Sequence, residues 1–277
     1  MNIMRFLGTI LLSLALTAPA LAAAAKEDIV INGSTTVLPV MQKAAENFMA
    51  ANPNVALIIS GGGSGNGIKA LTDGLCQIAM SSRDMKANET EHAKSKGVNP
   101  VRIPVAVDAL VPIVHPSNKV AQVSIAQLRD IYAGRITNWK EIGGADKKIA
   151  VISRDTSSGT YETWDEKIMN KARVAPSALL QASNGAVVQA VSKNPNALGY
   201  IGFGYLDKSV KALNIGGLQA TPENALSGQW PIARELYVFT NGEPKGVVKK
   251  LIDYLLDPQK GQKAVLEVGF IPLPTKK

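Results

Sequence analysis

The chain has 277 residues, a formal net charge of +8 and a single cysteine. Its lysines and arginines are spread thinly and are not interleaved with aromatic residues, which argues against a nucleic-acid-binding surface. One cysteine excludes an intrachain disulfide. Because Cys76 lies in the apolar run GLCQIAM, we expect it to be a buried apolar residue rather than a nucleophile.

The N-terminal segment has the pattern of an export signal. Arg5 precedes an apolar stretch, and residues 20–22 form an ALA cleavage triplet. Pro19 interrupts the stretch, whereas a membrane-spanning helix needs about 20 apolar residues. We therefore expect residues 1–24 to be a signal peptide, cleaved near Ala22–Ala25 with no cysteine for a lipid anchor, and the mature protein to be periplasmic.

Beyond this segment, short apolar runs alternate with helical patterns, which predicts an α/β fold. Three of the predicted strands end in small polar or charged residues: DIVIN runs into Gly33-Ser34-Thr35-Thr36, VALIIS into the glycine-rich segment 61–67, and CQIAMSS into Arg83-Asp84. In the middle of the chain KKIAVIS repeats the arrangement and runs into RDTSSGT.

Strand ends of this kind favour a small anion as the ligand. Each is followed by a predicted helix, whose first N–H groups and positive dipole end attract negative charge. Ligands of open α/β sheets lie outside the carboxyl ends of the strands. A single junction is explained by ordinary helix capping. Their repetition, with an arginine at one of them, predicts one shared anion site.

Two other kinds of site remain open at this point. Gly65-Asn66-Gly67-Ile68-Lys69-Ala70 fits the G-x-G-x-x-A pattern of a dinucleotide-binding oxidoreductase. A secreted phosphoester hydrolase is the other alternative. Neither His92 nor His115 has a second histidine or cysteine at metal-ligand spacing, and G-x-S-x-G is absent. Binding without catalysis, and without a cofactor or metal, is therefore the preferred interpretation.

Several longer motifs together resemble the periplasmic phosphate-binding proteins of Pst-type ABC transporters, in their compact branch. They are INGSTTVLPV, SGGGSGNGIKAL, IAMSSRDMK, LRDIYAGRITNWKEIGG, SRDTSSGTYETW, NPNALGYIGFGYL and GQKAVLEVGFIPLP, and they span nearly the whole mature chain. The resemblance implies a two-lobed α/β fold of the periplasmic-binding-protein type (type II-like), with the ligand in a cleft between lobes joined by two crossing strands.

The same resemblance places the lobes and the strands that join them. The first lobe is expected at residues 26–110 and 236–277, and the second at 111–235. PVAVDALVPIVH and ARELYVFTN are long and apolar enough to be the crossing strands. The resemblance also implies a monomer that captures inorganic phosphate and delivers it to an ABC transporter permease in the inner membrane, with no nucleic acid as partner.

By residue, the resemblance assigns phosphate ligands at every one of these strand ends. The expected ligands are Ser34, Thr35, Thr36, Ser64, Gly65, Ser82, Arg154, Ser158, Gly159 and Thr160, with Arg83, Asp84 and Asp155 as weaker candidates. We expect Asp155 to orient Arg154 rather than to contact the anion.

One position departs from the family pattern. Relatives place an aspartate, which accepts the proton of phosphate, where Ser82 stands here. A buried carboxylate would reject sulfate, because two sets of lone pairs would face each other. Asp84 and Asp155 are the candidates to replace that acceptor. Another oxyanion, such as sulfate or molybdate, therefore stays open as the ligand.

Overall fold

The structure is a computed structural model and describes residues 26–274. The strands are β1 Glu27–Gly33, β2 Val55–Gly61, β3 Ile78–Ser81, β4 Pro100–Val114, β5 Gln122–Val123, β6 Ala150–Arg154, β7 Leu179–Gln181, β8 Ala197–Gly202, β9 Lys211–Ala212, β10 Asn214–Ile215 and β11 Ala233–Asn241. The helices are α1 Leu38–Ala51, α2 Ser64–Thr72, α3 Ala87–Ser95, α4 Ile125–Tyr132, α5 Gly159–Trp164, α6 Asn184–Ser192, α7 Pro222–Leu226, α8 Gly246–Leu256 and α9 Gly261–Glu267. The predicted signal peptide lies outside the described residues.

Nine of the strands form one curled sheet in the order β2-β1-β3-β11-β4-β8-β6-β7, with β9 also paired to β4, and β5 and β10 form a separate two-stranded sheet. At one end β1 runs parallel to β2 and β3, and at the other end β6 runs parallel to β7 and β8. Between them lie β4 and β11, which are antiparallel to each other. The two parallel groups are therefore joined by one long antiparallel pair, as the resemblance implied.

Two main hydrophobic cores lie along this sheet. The first packs α1, α8 and α9 against β1, β2 and β3, and the second packs around the buried residues Trp139, Trp164 and Trp230. Along β4 the core membership changes between Ala106 and Val107. The chain therefore has the predicted two-lobed α/β fold, while the exact lobe limits at residues 110 and 235 stay a prediction.

Most local predictions correspond to observed elements. The predicted crossing strands are β4 and β11, and Ser124 with Gln127 forms the capping box that starts α4. The glycine-rich segment differs, because α2 already begins at Ser64 and includes Gly65 to Gly67. Close packing explains the glycine there: a Cβ on Gly67 would lie 2.6 Å from the Cα of Gly33.

Within residues 26–274, the structure contains no helix that combines the length and the apolar character needed to cross a bilayer.

Candidate anion-binding site

The ends of the predicted strands meet in one buried cluster, formed by side chains that are far apart in the chain. Thr36 follows β1 and Thr160 begins α5, and their Oγ1 atoms lie 3.0 Å apart across a separation of 124 residues. Ser64, which starts α2, and Ser82, which follows β3, have Oγ atoms 3.3 Å apart. All four are at most 2% exposed. The cluster therefore joins hydroxyls from both lobes.

Glycine at position 159 allows this close approach. A Cβ on Gly159 would lie 2.4 Å from the Oγ of Ser64 and 2.7 Å from the Oγ of Ser82. Neither distance is possible for a real Cβ atom. Only glycine therefore fits between the two lobes at the start of α5.

Local capping interactions explain how the hydroxyls are oriented. Ser34 Oγ accepts from the N–H of Thr36 at 3.1 Å, and Ser158 Oγ accepts from Tyr161 N at 3.2 Å, which caps α5. Ser64 Oγ accepts from the backbone N–H of Ser82 at 3.0 Å. Each of these oxygens accepts a hydrogen bond from the chain itself and keeps its hydrogen for donation, to a ligand or, for Ser64, to Ser82 Oγ at 3.3 Å.

Arg154 contributes a buried positive charge at the end of β6. Its side chain is 1% exposed; Nε donates to the carbonyl of Gln181 at 2.9 Å and Nη2 to that of Ala182 at 3.0 Å. Burial lowers the pKa of Arg154. Its Nη1 is buried and has no hydrogen-bond partner among residues 26–274. Since an unpaired buried donor is costly, this atom calls for an acceptor that a bound anion would supply.

The segment that holds Arg154 leads directly to the hydroxyl cluster. Asn184 follows those two carbonyls, and its Nδ2 donates to the Oγ1 atoms of Thr35 at 3.2 Å and Thr36 at 3.0 Å. Tyr205 also reaches this loop, where its hydroxyl donates to the Thr35 carbonyl at 2.5 Å. The segment 181–184 therefore connects Arg154 to the hydroxyl cluster.

Asn184 and the buried pair of Asp108 and Arg234 were missed by the sequence predictions. Asn184 stands in ASNG, a further junction of strand, small polar residues and helix. Asp108 and Arg234 are charged residues of opposite sign within the two apolar crossing strands. Charged residues are rarely buried unless they are paired. Opposite charges within two apolar strands could therefore have predicted a buried ion pair.

Three of the four remaining candidates, Gly65, Arg83 and Asp84, are engaged elsewhere. The N–H of Gly65 donates to the Ser157 carbonyl at 3.0 Å across the cleft, and Arg83 is paired with glutamates. Asp84 is exposed and binds Arg102 at 2.6 Å. Direct contact of these residues with phosphate stays a prediction.

The expectation that Asp155 orients Arg154 is wrong. Asp155 Oδ1 accepts from the N–H and the hydroxyl of Ser157, at 2.9 and 2.5 Å. The backbone carbonyls of Gln181 and Ala182 hold the guanidinium of Arg154 instead. The Asp155 carboxylate accepts from the donors of its own turn, which lie close to it in the chain.

Other features of the chain lie away from this cluster. Cys76 is 5% exposed, and burial raises the pKa of its thiol to about 11, so it is a buried apolar residue as predicted. An apolar surface cavity of about 680 Å³ lies near Leu256, Leu266 and Pro272. None of the residues of the hydroxyl cluster lines it.

Comparison with known proteins shows the family of this chain. The model of the PBP superfamily domain matches residues 18–259. The phosphate-binding protein PstS of Bacillus subtilis is 34% identical over 254 residues, which cover 91% of this chain and 83% of the relative. The chain belongs to the PBP superfamily and to its family of PstS phosphate-binding proteins. It is therefore a binding protein and not an enzyme, as the sequence predicted.

Solved structures of the family show the same fold. A phosphate ABC transporter substrate-binding protein from Clostridium perfringens, with bound phosphate, is 36% identical with a TM-score of 0.84, and the match covers 90% of this chain and all of that one. An ABC-type phosphate transport receptor from Vibrio cholerae is 32% identical with a TM-score of 0.72, covering 89% of this chain and all of that one. The two-lobed fold is thus shared over nearly the whole described chain.

Proposed function

We propose that this chain is a solute receptor that captures inorganic phosphate and delivers it to an ABC transporter. The observation that carries the proposal is the buried Nη1 of Arg154, which has no partner within residues 26–274, together with hydroxyls contributed by two lobes. The relative from Clostridium perfringens, which has bound phosphate, supports it. A tetrahedral anion would accept from donors of both lobes at once and so favour closure.

We place the phosphate against the hydroxyls of the cluster, the guanidinium of Arg154 and the start of α5. The proposed ligands are Ser34, Thr35, Ser64, Ser82, Arg154, Ser158, Gly159 and Thr160, with Thr36 taking part through its hydrogen bond to Thr160. Hydrogen bonds to a charged group contribute about 1.5–3 kcal/mol each. Because micromolar affinity needs only about 8 kcal/mol, a few of these contacts suffice.

The cellular setting is part of the same proposal. Residues 1–24 direct export, the mature monomer works in the periplasm, and its partner is the permease of the transporter in the inner membrane. The lobes comprise residues 26–110 with 236–277, and residues 111–235.

Calorimetric titration of the purified protein with phosphate, sulfate and molybdate tests the function. We expect phosphate to bind at one site per chain with micromolar or tighter affinity and to outcompete the other two. Absence of phosphate binding, with the protein folded by circular dichroism, would overturn the proposal.

A fully ionised oxyanion such as sulfate is the second candidate, because both carboxylates proposed to accept the phosphate proton are engaged. Asp84 binds Arg102 at the surface and Asp155 binds Ser157. Competition at pH 6 and pH 8 separates the candidates, since phosphate changes protonation in this interval whereas sulfate does not. Sulfate that competes equally at both values would favour the second candidate.

A further inference from the structure

A buried ion pair lies between the crossing strands, directly beneath the hydroxyl cluster. Asp108 on β4 and Arg234 on β11 are register partners, with side chains that are 0% and 7% exposed. Arg234 Nη2 and Nε lie 2.8 and 3.0 Å from Asp108 Oδ2. Burial raises the pKa of Asp108 and lowers that of Arg234, while their attraction opposes both changes. A buried ion pair contributes little stability beyond that of well-packed apolar residues. Its presence here is therefore better explained by a role in the anion site.

The guanidinium of Arg234 reaches both walls of the cleft from this anchor. One Nη2 hydrogen is directed to Asp108, and the other is shared between Thr160 Oγ1 at 3.0 Å and, more weakly, Thr36 Oγ1 at 3.4 Å. Nη1 donates to the Gly159 carbonyl at 3.1 Å and to Thr163 Oγ1 at 3.2 Å. Arg234 therefore holds hydroxyls of both lobes from the strand that joins them.

The hydrogen-bond partners of Thr36 favour one direction of the bond between the two threonines. Its Oγ1 faces two N–H donors, Arg234 Nη2 and Asn184 Nδ2. The Asn184 amide is held in this orientation because its Oδ1 accepts from the N–H of Gly202 at 3.1 Å. One lone pair of Thr36 accepts from Asn184, and the other faces the Nη2 hydrogen that Arg234 shares with Thr160. This arrangement favours a bond in which Thr36 donates its own hydrogen to Thr160.

Thr160 is consequently left with a hydrogen and no partner for it in the cluster. Its oxygen accepts from Thr36 and from Arg234. Neither is placed to accept in return, because arginine has no acceptor and both lone pairs of Thr36 face N–H groups. Within residues 26–274 these are the hydrogen-bond partners of Thr160 Oγ1, so its hydrogen is available only to a ligand.

We propose that Arg234, anchored by Asp108 and assisted by Asn184, is a positioning residue that commits the Thr160 hydroxyl as a hydrogen-bond donor to the bound oxyanion. This proposal rests on the proposed function, and it assigns a role to a residue that does not itself contact the ligand. Arg234 acts through the threonines rather than by direct contact. Its effect on affinity must therefore depend on the presence of the Thr160 hydroxyl.

A double-mutant cycle with inorganic phosphate as the probe tests this dependence. Arg234→Lys keeps the charge, but one ammonium cannot reproduce the fork that spans Asp108 and both threonines. We expect it to weaken phosphate binding about tenfold in the wild-type background but less than about threefold in the Thr160→Val background, a coupling of the size seen between residues in contact. Equal factors in both backgrounds would show that Arg234 acts as a general charge or structural support, and would overturn the proposal.

Thr163→Val is the matched control. It removes a threonine hydroxyl that also bonds to Arg234 but lies outside the bond between Thr36 and Thr160. We expect phosphate affinity to stay within about threefold of wild type, because the donor at Thr160 is unchanged. A loss as large as that of Thr160→Val would count against the assignment.

Asn184→Ala provides a second arm if Arg234→Lys does not fold. It frees a lone pair on Thr36, so Thr160 can donate to Thr36 instead of to the ligand. Its effect should also shrink in the Thr160→Val background, and an undiminished effect there would contradict the proposal.

The two proposals fail in different ways. Wild-type protein that binds sulfate but not phosphate would end the phosphate function, and the same cycle run with sulfate would still test Arg234. Wild-type protein that binds phosphate while the cycle is additive would keep the function and end the positioning role.

Discussion

At the scale of single residues, the site depends on a buried guanidinium with one donor left over. Backbone carbonyls occupy Nε and Nη2 of Arg154, which fixes the plane of the group and leaves Nη1 unpaired among the described residues. A fixed fork of this kind loses little entropy when it binds an oxyanion. The guanidinium of Arg154 is therefore preorganised for anion binding.

Arg154→Ala is expected to be among the most damaging single changes to binding. It should cost about 2–4 kcal/mol of phosphate affinity, since the anion would remain buried without its charged partner. Calorimetry with phosphate measures the effect. Arg135→Ala is the control, because Arg135 is 56% exposed and pairs with Asp130 at the surface. Unchanged affinity in Arg154→Ala would show that the site lies elsewhere.

At the scale of elements, ion pairs connect the start of α3 in one lobe to α5 in the other. Arg83 binds Glu89 at 2.7 Å within its own lobe and Glu162 of α5 at 2.7 Å across the cleft, and Lys86 adds a contact with Glu162 at 3.0 Å. Burial works against the charge of Arg83, but the two glutamates outweigh it and raise its pKa. These pairs form a latch outside the anion site that stabilises the closed arrangement.

Glu162→Gln is expected to weaken phosphate binding several-fold through loss of this latch. The loss should be larger at low ionic strength than at about 1 M salt, where charges are screened over about 3 Å. Titrations at the two salt concentrations check it. Glu166→Gln is the matched control, since Glu166 is 63% exposed and its ion pair in the described part of the chain is with its neighbour Lys167. A salt-independent loss would assign Glu162 a role other than charge.

The Arg83–Glu89 pair makes stability depend on pH in a definite direction. Burial opposes ionisation of Glu89, but hydrogen bonds from Arg83 and the Lys86 N–H hold its pKa below the ordinary 4.5. A lowered pKa in the folded state gives stabilisation that is complete above the unfolded value and is lost as the pH falls through the folded value. Wild type should therefore be more stable than Glu89→Gln at pH 7, and the difference should shrink as the pH falls below the ordinary pKa of 4.5.

Denaturant unfolding of both proteins at several pH values measures this difference. Glu46→Gln, which removes an exposed partner of Lys43, should show a much smaller dependence on pH. A difference between wild type and Glu89→Gln that persists in acid would mean that packing, not ionisation, is responsible.

At the scale of the whole molecule, the structure is a closed form. Hydroxyls, a backbone hydrogen bond from Gly65 to Ser157, and the latch all span the cleft. The lobes are joined by β4 and β11, and β11 shifts register between Leu236 and Tyr237, close to the change of core. Closure therefore brings two independently packed lobes together around strands that both of them share.

Gly159→Ala should block this closure without unfolding either lobe. The added methyl would overlap Ser64 and Ser82 of the opposite lobe. We expect phosphate affinity to fall at least about tenfold through overpacking. Stability without ligand should be retained, since alanine favours a helix more than glycine does. Small-angle scattering should show compaction on adding phosphate to wild type but not to this variant.

Gly185→Ala is the matched control for this substitution. Its added methyl would lie 3.9 Å from Ser183 Oγ, an ordinary contact. The variant should bind phosphate and compact as wild type does. If Gly159→Ala also compacted with full affinity, the cleft would have to close differently from the arrangement described above.

The amino-acid sequence by itself determined the elements and the chemistry of most of the site, because strand ends, helix caps and hydroxyl-rich junctions are local patterns. It predicted Arg154, Ser64 and Thr160 at strand ends, and the crossing strands that became β4 and β11. Only the tertiary structure decided which partners each side chain takes.

The local sequence around each residue could not reveal that Asn184 and Arg234 contact Thr36 at separations of 148 and 198 residues. Nor could it show that Asp155 turns to Ser157 instead of Arg154. Such pairings depend on which lobe surfaces face each other after folding. The interactions within a turn do not specify which side chains of the other lobe will contact it in the folded protein.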